Sequence, residues 1–223
     1  MHGSLAHLSI SLAAPGLNTQ CYTRRMFRVR EQHKRIWPVS VLLISILLLG
    51  ASSSTAQTSA TSALDLDGHA VDVFHHSDGK VVVLLFIRTD CPISNRYAPT
   101  IQRLSNQFKM AEFFLVYPIS TESPEQIRKH LQEYGYKLTA LRDPDLRLVH
   151  AAGVRVTPES AVFSANGRLL YHGRIDDWYG DFGRARPAPT THELASAIQA
   201  AIEGKPVPVA AALAVGCFLP DAP

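Results

Sequence analysis

The chain has 223 residues, of which 46% are hydrophobic and 18% charged; this excludes an intrinsically disordered chain and, with one long apolar run, a polytopic membrane protein. The length suffices for one domain with its own core, and three cysteines are too few for a disulfide scaffold. The first 56 residues hold six basic residues against one acid, so the net charge of +3 gives no reason to expect nucleic-acid binding by the rest.

The first 56 residues have the pattern of a leader with a signal peptide. A basic stretch, residues 24–35, precedes an 11-residue, mostly apolar run at 39–49, and small residues follow up to Ala56. This order predicts cleavage after Ala56 and a mature chain that starts near Gln57. The alternative is a retained leader that anchors the protein in a membrane, although a span needs about 20 residues. We expect an exported protein, periplasmic or secreted.

Three further segments follow the leader. Residues 57–63 are a polar linker, and residues 64–204 form the predicted domain. Residues 205–223 contain four prolines, which predicts an extended C-terminal tail.

Strands and helices alternate in the first half of the domain. Apolar residues on both sides of Asp67-Gly68 predict a short hairpin. Residues 81–87 and 113–117 are continuous apolar runs, typical of strands buried on both faces. Between them an apolar stripe recurs at helical spacing: Ile93, Tyr97, Ile101, Leu104 and Phe108. A second helix is predicted from a capping box at Ser123 to Gly135.

The second half changes to antiparallel structure. Residues 160–164 and 169–171 flank Asn166-Gly167, which is typical of a tight hairpin. A capping box at 190–193 predicts a last helix that ends at Gly204. Parallel strands joined by helices, followed by an antiparallel pair and a covering helix, predict an α/β sandwich with a mixed central sheet.

Cys91 is the candidate reactive residue. It follows the first buried strand, and Pro92 is suited to the first position of a helix, so Cys91 is predicted to be the N-cap. The unpaired amides and the dipole at a helix N-terminus favour a thiolate there. Ser94 follows three residues later and completes a Cys-x-x-Ser motif.

Three charged neighbours are candidates for tuning the pKa of Cys91. Asp90 is adjacent to the cysteine and would raise its pKa, whereas Arg88 and Arg96 would lower it.

These features resemble the thioredoxin-like superfamily, in particular its exported bacterial redoxin branch related to thioredoxin and AhpC/TSA. The resemblance covers residues 64–204 and is carried by residues 81–88, the Cys91-to-Ser94 motif, Pro99, residues 156–158, the hairpin and the last helix. It implies a thioredoxin-like fold with Cys91 as the nucleophile. It also implies a cis Thr157-Pro158 bond that lies against Cys91.

The chain departs from the branches of that superfamily at the site. Ser94 replaces the resolving cysteine of dithiol thioredoxins, and the peroxiredoxin pattern fails at Leu84 and Arg88. The copper-delivery pattern fails at Asn95, where it has a second cysteine.

Cys217 is the second cysteine that remains if the leader, which holds Cys21, is removed. Three roles stay open for it: a resolving partner, a structural staple, or an inert thiol. A disulfide with Cys91 would hold the tail across the face of the site. Cys91 is expected to be the more reactive thiol, because Cys217 lies in an apolar segment.

Two functions fit these residues. The first is an exported thiol oxidoreductase whose partners are a protein or small-molecule disulfide, or a peroxide, together with an external thiol reductant. The second is a non-catalytic binding module of a respiratory or metal-handling complex. No cofactor or metal is expected, since the histidines lack ligand spacing and are predicted to lie on the solvated surface: His75, His76, His130, His150, His172 and His192.

Overall fold

The structure is a computed structural model that describes residues 61–219. The leader, the predicted cleavage site after Ala56 and most of the linker lie outside the described residues, as do residues 220–223. Among residues 61–219, no helix combines the length and the apolar character that a membrane crossing requires.

Twelve strands are described within residues 61–219. They are β1 (Ser62–Leu64), β2 (Ala70–Asp72), β3 (Val81–Phe86), β4 (Ala111–Tyr117), β5 (Thr139–Arg142), β6 (Val156–Thr157), β7 (Glu159–Phe163), β8 (Leu169–Gly173), β9 (Tyr179–Asp181), β10 (Arg184–Ala185), β11 (Ala211–Ala212) and β12 (Cys217–Phe218).

Six helices accompany them in the same range. They are α1 (Val73–His76), α2 (Pro92–Arg96), α3 (Ala98–Gln107), α4 (Pro124–Glu133), α5 (Arg147–Ala152) and α6 (Glu193–Ile202).

The predicted mixed sheet is confirmed. Eight strands form it in the order β11-β8-β7-β3-β4-β5-β1-β2. Strands β3, β4 and β5 are parallel, whereas β7 and β8 form the antiparallel hairpin expected around Asn166-Gly167. Gly167 has a φ of +78°, a left-handed conformation that explains a glycine at this turn.

Strand β3 supplies side chains to a core on each face of the sheet, because successive residues of a strand point to opposite sides. Val83 and Leu85 face the core that contains α3 and α6, while Leu84 and Phe86 face the core that contains α5. All six residues of β3 are buried, as its continuous apolar sequence predicts.

The helix after Cys91 is interrupted, which the apolar stripe did not predict. Helix α2 ends at Arg96 and α3 begins at Ala98, with Tyr97 capping both. Pro99 lacks an amide hydrogen and its ring conflicts with the preceding turn, so a single straight helix is disfavoured here. The capping box at Ser123 is confirmed by reciprocal hydrogen bonds with Gln126.

The capping box predicted at residues 190–193 is wrong. Helix α6 begins at Glu193, and its N-cap, His192, makes no side-chain cap. The hydroxyl of Thr190 instead donates to Asp177, and that of Thr191 donates to Glu193.

The described part of the tail, residues 205–219, contains no helix and is paired with the domain. Strand β11 adds to the edge strand β8, and β12 pairs antiparallel with β6. Leu219 is buried in the core on the α5 side. A Cβ on Gly173, whose φ is +139°, would collide with the carbonyl of Ala212, so the close approach of β11 depends on this glycine.

Candidate active site

Cys91 lies at the end of the segment that connects β3 to α2. It has an extended backbone at the N-cap of α2, and Pro92 occupies the first turn as predicted. The side chain is completely buried. It makes no capping hydrogen bond to the helix, so its sulfur is free to interact with the neighbouring chain segments.

The turn between β6 and β7 contacts this sulfur. The Thr157-Pro158 bond is cis, as predicted, and the Cys91 thiol donates to the Thr157 carbonyl at 3.1 Å. The buried carboxylate of Glu159 accepts hydrogen bonds from the amides of Arg155 and Val156 at 3.0 and 3.3 Å. These bonds fix the strand that presents the Thr157 carbonyl to Cys91.

The tail brings Cys217 to Cys91. The two Sγ atoms are 2.6 Å apart, although the residues are 126 positions apart in the chain, and both are free thiols. In the β12–β6 register Cys217 lies opposite Thr157, whose carbonyl accepts from Cys91. Of the three roles left open by the sequence, this placement disfavours the inert thiol and fits either a resolving partner or a structural staple.

Gly216 and Arg88 help to hold the tail against the β6 segment. A Cβ on Gly216 would collide with the carbonyl of Thr157, so only glycine allows this approach of the two backbones. The Arg88 guanidinium donates to the Phe218 carbonyl at 3.4 Å. The Leu219 amide donates to the Arg155 backbone carbonyl at 3.0 Å and extends the pairing by one residue.

The pKa values of the two thiols are shifted in opposite directions. Burial opposes ionisation of Cys91, but the neighbouring Cys217 thiol and the hydroxyl and amide of Ser94 favour the thiolate, outweigh burial and lower the pKa of Cys91. Burial, and then the neighbouring Cys91, raise the pKa of Cys217 to about 12. Cys91 is therefore the more acidic thiol of the pair and ionises before Cys217, which keeps its proton and can donate a hydrogen bond to the Cys91 thiolate when it forms.

The predicted tuning residues act on different partners. Arg88 pairs with Asp90 at 2.9 Å, and both charges act on the pKa of Cys217, which Asp90 raises and Arg88 lowers. Arg96 donates to the Tyr179 hydroxyl at 3.1 Å. Ser94 is completely buried, and its hydroxyl makes no hydrogen bond of ordinary geometry. It lies close enough to Cys91 to favour the thiolate and lower its pKa.

A buried polar network supports the Cys91 turn and was missed by the sequence analysis. Glu122 accepts from the amide and hydroxyl of Thr89, both at 2.7 Å. Asn95 donates to the Thr89 carbonyl at 3.1 Å and is contacted through its Oδ1 by His130 Nε2 at 2.8 Å. The Tyr117 hydroxyl contacts the other ring nitrogen of His130 at 2.9 Å.

The prediction that His130 lies on the surface is therefore wrong, since His130 is only 3% exposed. The helical periodicity of the sequence could have predicted this burial, because His130 is three residues from the buried Ile127 on the same helix. Burial lowers the pKa of His130 and favours the neutral ring.

A cavity of about 920 Å³ opens beside Cys217. Its lining is largely apolar and comes from the tail, the β6 segment and the β9–β10 hairpin. Within residues 61–219, no group of three or more His, Cys, Asp or Glu side chains is arranged to hold a metal ion.

Comparison with known proteins relates the chain to one family. The sequence profile of the AhpC/TSA family matches residues 54–172, more than half of the chain. The thiol-disulfide oxidoreductase ResA of Halalkalibacterium halodurans is 23% identical over 153 residues, 63% of this chain and 86% of that protein.

Two solved structures share the fold. An uncharacterized conserved protein from Geobacillus kaustophilus is 27% identical with a TM-score of 0.61, over 73% of this chain and 88% of its own. A hypothetical protein from Sinorhizobium meliloti 1021 is 23% identical with a TM-score of 0.55, over 70% and 88% of the two chains.

Proposed function

The chain belongs to the AhpC/TSA family and is a thioredoxin-like redoxin, and we propose that it is an exported thiol–disulfide oxidoreductase. In this proposal Cys91 is the nucleophile and Cys217 is the resolving cysteine. The observation that carries it is the 2.6 Å separation of the two sulfurs. Cys217 thereby takes the role that a second cysteine in the Cys-x-x-Ser motif would have had.

The proposed cycle begins with the Cys91 thiolate. It attacks one sulfur of a substrate disulfide, forms a mixed disulfide and releases the other substrate sulfur as a thiolate. Access to the buried Cys91 requires the tail strand to lift from β6. Cys217 then loses its proton and attacks the Cys91 sulfur, which releases the second substrate thiolate and leaves a Cys91–Cys217 disulfide. A dithiol donor returns the enzyme to its reduced state.

The electrostatics support this division of roles. When Cys91 ionises, a hydrogen bond from the Cys217 thiol stabilises the thiolate. Once Cys91 is in a mixed disulfide, that thiolate no longer raises the pKa of Cys217, so Cys217 becomes easier to ionise at the step that needs it.

A disulfide is favoured over a peroxide as the oxidant. The curated relative is a thiol-disulfide oxidoreductase, and the peroxiredoxin pattern fails at Leu84 and Arg88. The second candidate from the sequence, a non-catalytic module, gives no reason for a lowered Cys91 pKa beside a partner thiol.

Intact mass with and without reductant tests the pair directly. We expect the oxidised mature protein to be lighter by two hydrogen atoms and a peptide map to join Cys91 to Cys217. Cys91→Ser is expected to abolish reduction of a model protein disulfide, whereas Cys217→Ser retains the first attack and accumulates the mixed disulfide. Turnover that is unchanged in Cys91→Ser contradicts the proposal.

Export is tested separately by mapping the N-terminus of the protein made in its own cells. A start near Gln57 supports export with cleavage. An intact Met1 or Met26 contradicts cleavage and favours an anchored protein.

A further inference from the structure

The two sulfurs of the pair differ in their access from outside. Cys91 is 0% exposed, beneath the β12 strand. Cys217 is partly exposed and lines the cavity, whereas Cys91 does not. With the tail seated on β6, a thiol that arrives from solvent therefore meets the Cys217 sulfur.

The cavity is bordered by large apolar side chains that the fold leaves in solvent. Phe182, Leu213 and Phe218 are 65%, 88% and 82% exposed, and all three line the cavity. They come from the β9–β10 turn and from both sides of Gly216 in the tail, and they share the lining of the cavity with Cys217. Exposed apolar side chains that share one cavity, unlike singly scattered ones, are typical of interaction surfaces.

The polar groups of the cavity do not favour a charged occupant. Glu159 is engaged by two backbone amides and lies 3.6 Å from the His172 ring. Arg155 and Asp181 place one charge of each sign in the lining. The three exposed side chains come from two separate segments, the β9–β10 turn and the tail, so contact with all of them favours an apolar chain segment of a protein over a small molecule.

We propose that electrons enter this enzyme through Cys217, from a protein dithiol whose reactive cysteine lies in an apolar segment that docks on Phe182, Leu213 and Phe218. This inference rests on the proposed function, because it concerns the disulfide formed at the end of that cycle. The donor thiolate attacks the Cys217 sulfur, the Cys91–Cys217 bond breaks, and Cys91 leaves as a thiolate. The second donor thiol then loses its proton and attacks the donor sulfur of the mixed disulfide, which releases Cys217 and oxidises the donor.

The chemistry of the leaving group agrees with this direction of attack. A thiol–disulfide exchange is faster when the departing sulfur has the lower pKa. When the Cys217 sulfur is attacked, Cys91 is the departing sulfur, and the neighbouring Ser94 hydroxyl and amide, which do not depend on the Cys217 proton, lower its pKa.

A trapping experiment tests the inference on the oxidised full-length mature protein. The probes are two synthetic peptides, each with one cysteine, flanked by Leu and Phe in one and by Ser and Asn in the other; benzyl mercaptan is a small apolar probe. After acid quenching, peptide mapping shows which protein cysteine carries the probe. We expect the adduct on Cys217 and a free Cys91, and reaction of the apolar peptide about tenfold faster than that of the polar one.

The docking residues are tested by Phe182→Ser and Leu213→Ser, with Met110→Ser as the matched control. Met110 is an exposed large apolar side chain, 69% exposed, that does not line the cavity. Each docking variant is expected to reduce the preference for the apolar peptide at least about threefold, and the control to keep it.

Four results overturn the inference. An adduct on Cys91 refutes entry through Cys217, and equal rates for the two peptides refute an apolar docking site. The third result is that benzyl mercaptan reacts as fast as the apolar peptide and is slowed equally by the docking substitutions. In that case the site binds a small apolar thiol instead of a protein. Oxidised protein with no loss of two hydrogen atoms refutes the proposed Cys91–Cys217 pair, and this inference with it, before any probe is added.

Discussion

Replacing Gly216 by alanine tests whether the seated tail creates the thiol pair. The added Cβ would collide with the Thr157 carbonyl, the residue that lies opposite Cys217 in the β12–β6 pairing. Neither backbone can move away without breaking that pairing, since the Glu159 carboxylate holds the β6 strand through the Arg155 and Val156 amides. We therefore expect Gly216→Ala to lift the Cys217 segment from β6.

The size of the effect follows from the hydrogen bonds that are lost. Lifting the segment breaks the backbone pairing of Cys217 with Thr157, the Leu219–Arg155 bond at 3.0 Å and the Arg88–Phe218 bond at 3.4 Å. At about 1 kcal/mol net for each hydrogen bond, the docking weakens by about 2–3 kcal/mol. The effective concentration of Cys217 at Cys91 should then fall about 30- to 150-fold.

The assay is the equilibrium of the Cys91–Cys217 disulfide with reduced and oxidised glutathione, which reports that effective concentration. Gly180→Ala is the control, because a Cβ at Gly180 has only the end of the Arg186 side chain within 4 Å, at 4.0 Å. It should match the wild type. An effective concentration in Gly216→Ala within about twofold of the wild type, less than the value of one net hydrogen bond, would refute the argument from close backbone approach.

Three further predictions concern ionisation. Cys217→Ala removes a hydrogen bond that lowers the pKa of Cys91, so the midpoint of its alkylation rate against pH should move to higher pH, with a smaller move in Cys217→Ser. Burial lowers the pKa of His130, so below about pH 6.5 the unfolded chain binds more protons than the folded chain, and the free energy of unfolding falls on acidification. The melting temperature of His130→Gln should therefore fall less on acidification than that of the wild type. Burial raises the pKa of Glu122, so its contribution to stability is lost as pH rises; Glu122→Gln keeps an acceptor for Thr89 and should raise the melting temperature at pH 7 more than at pH 4.

Local sequence determined much of the scaffold. The apolar runs of β3 and β4, the capping box at Ser123 and the Asn166-Gly167 turn depend on neighbours a few residues away, so their patterns predicted the elements that form. The N-cap position of Cys91 is equally local, because the end of a buried strand and Pro92 specify it.

Other features depended on chain segments that meet only in the folded protein. The sequence left three roles open for Cys217, because no local pattern specifies a contact across 126 positions. Gly216 is an ordinary tail glycine until the Thr157 carbonyl lies against it. The burial of His130 likewise depends on partners from separate elements, Tyr117 and Asn95. The site lies where the tail, the turn after β6 and the start of α2 meet. No single stretch of sequence encodes the packing of these three segments, and that packing determined which thiols are in contact.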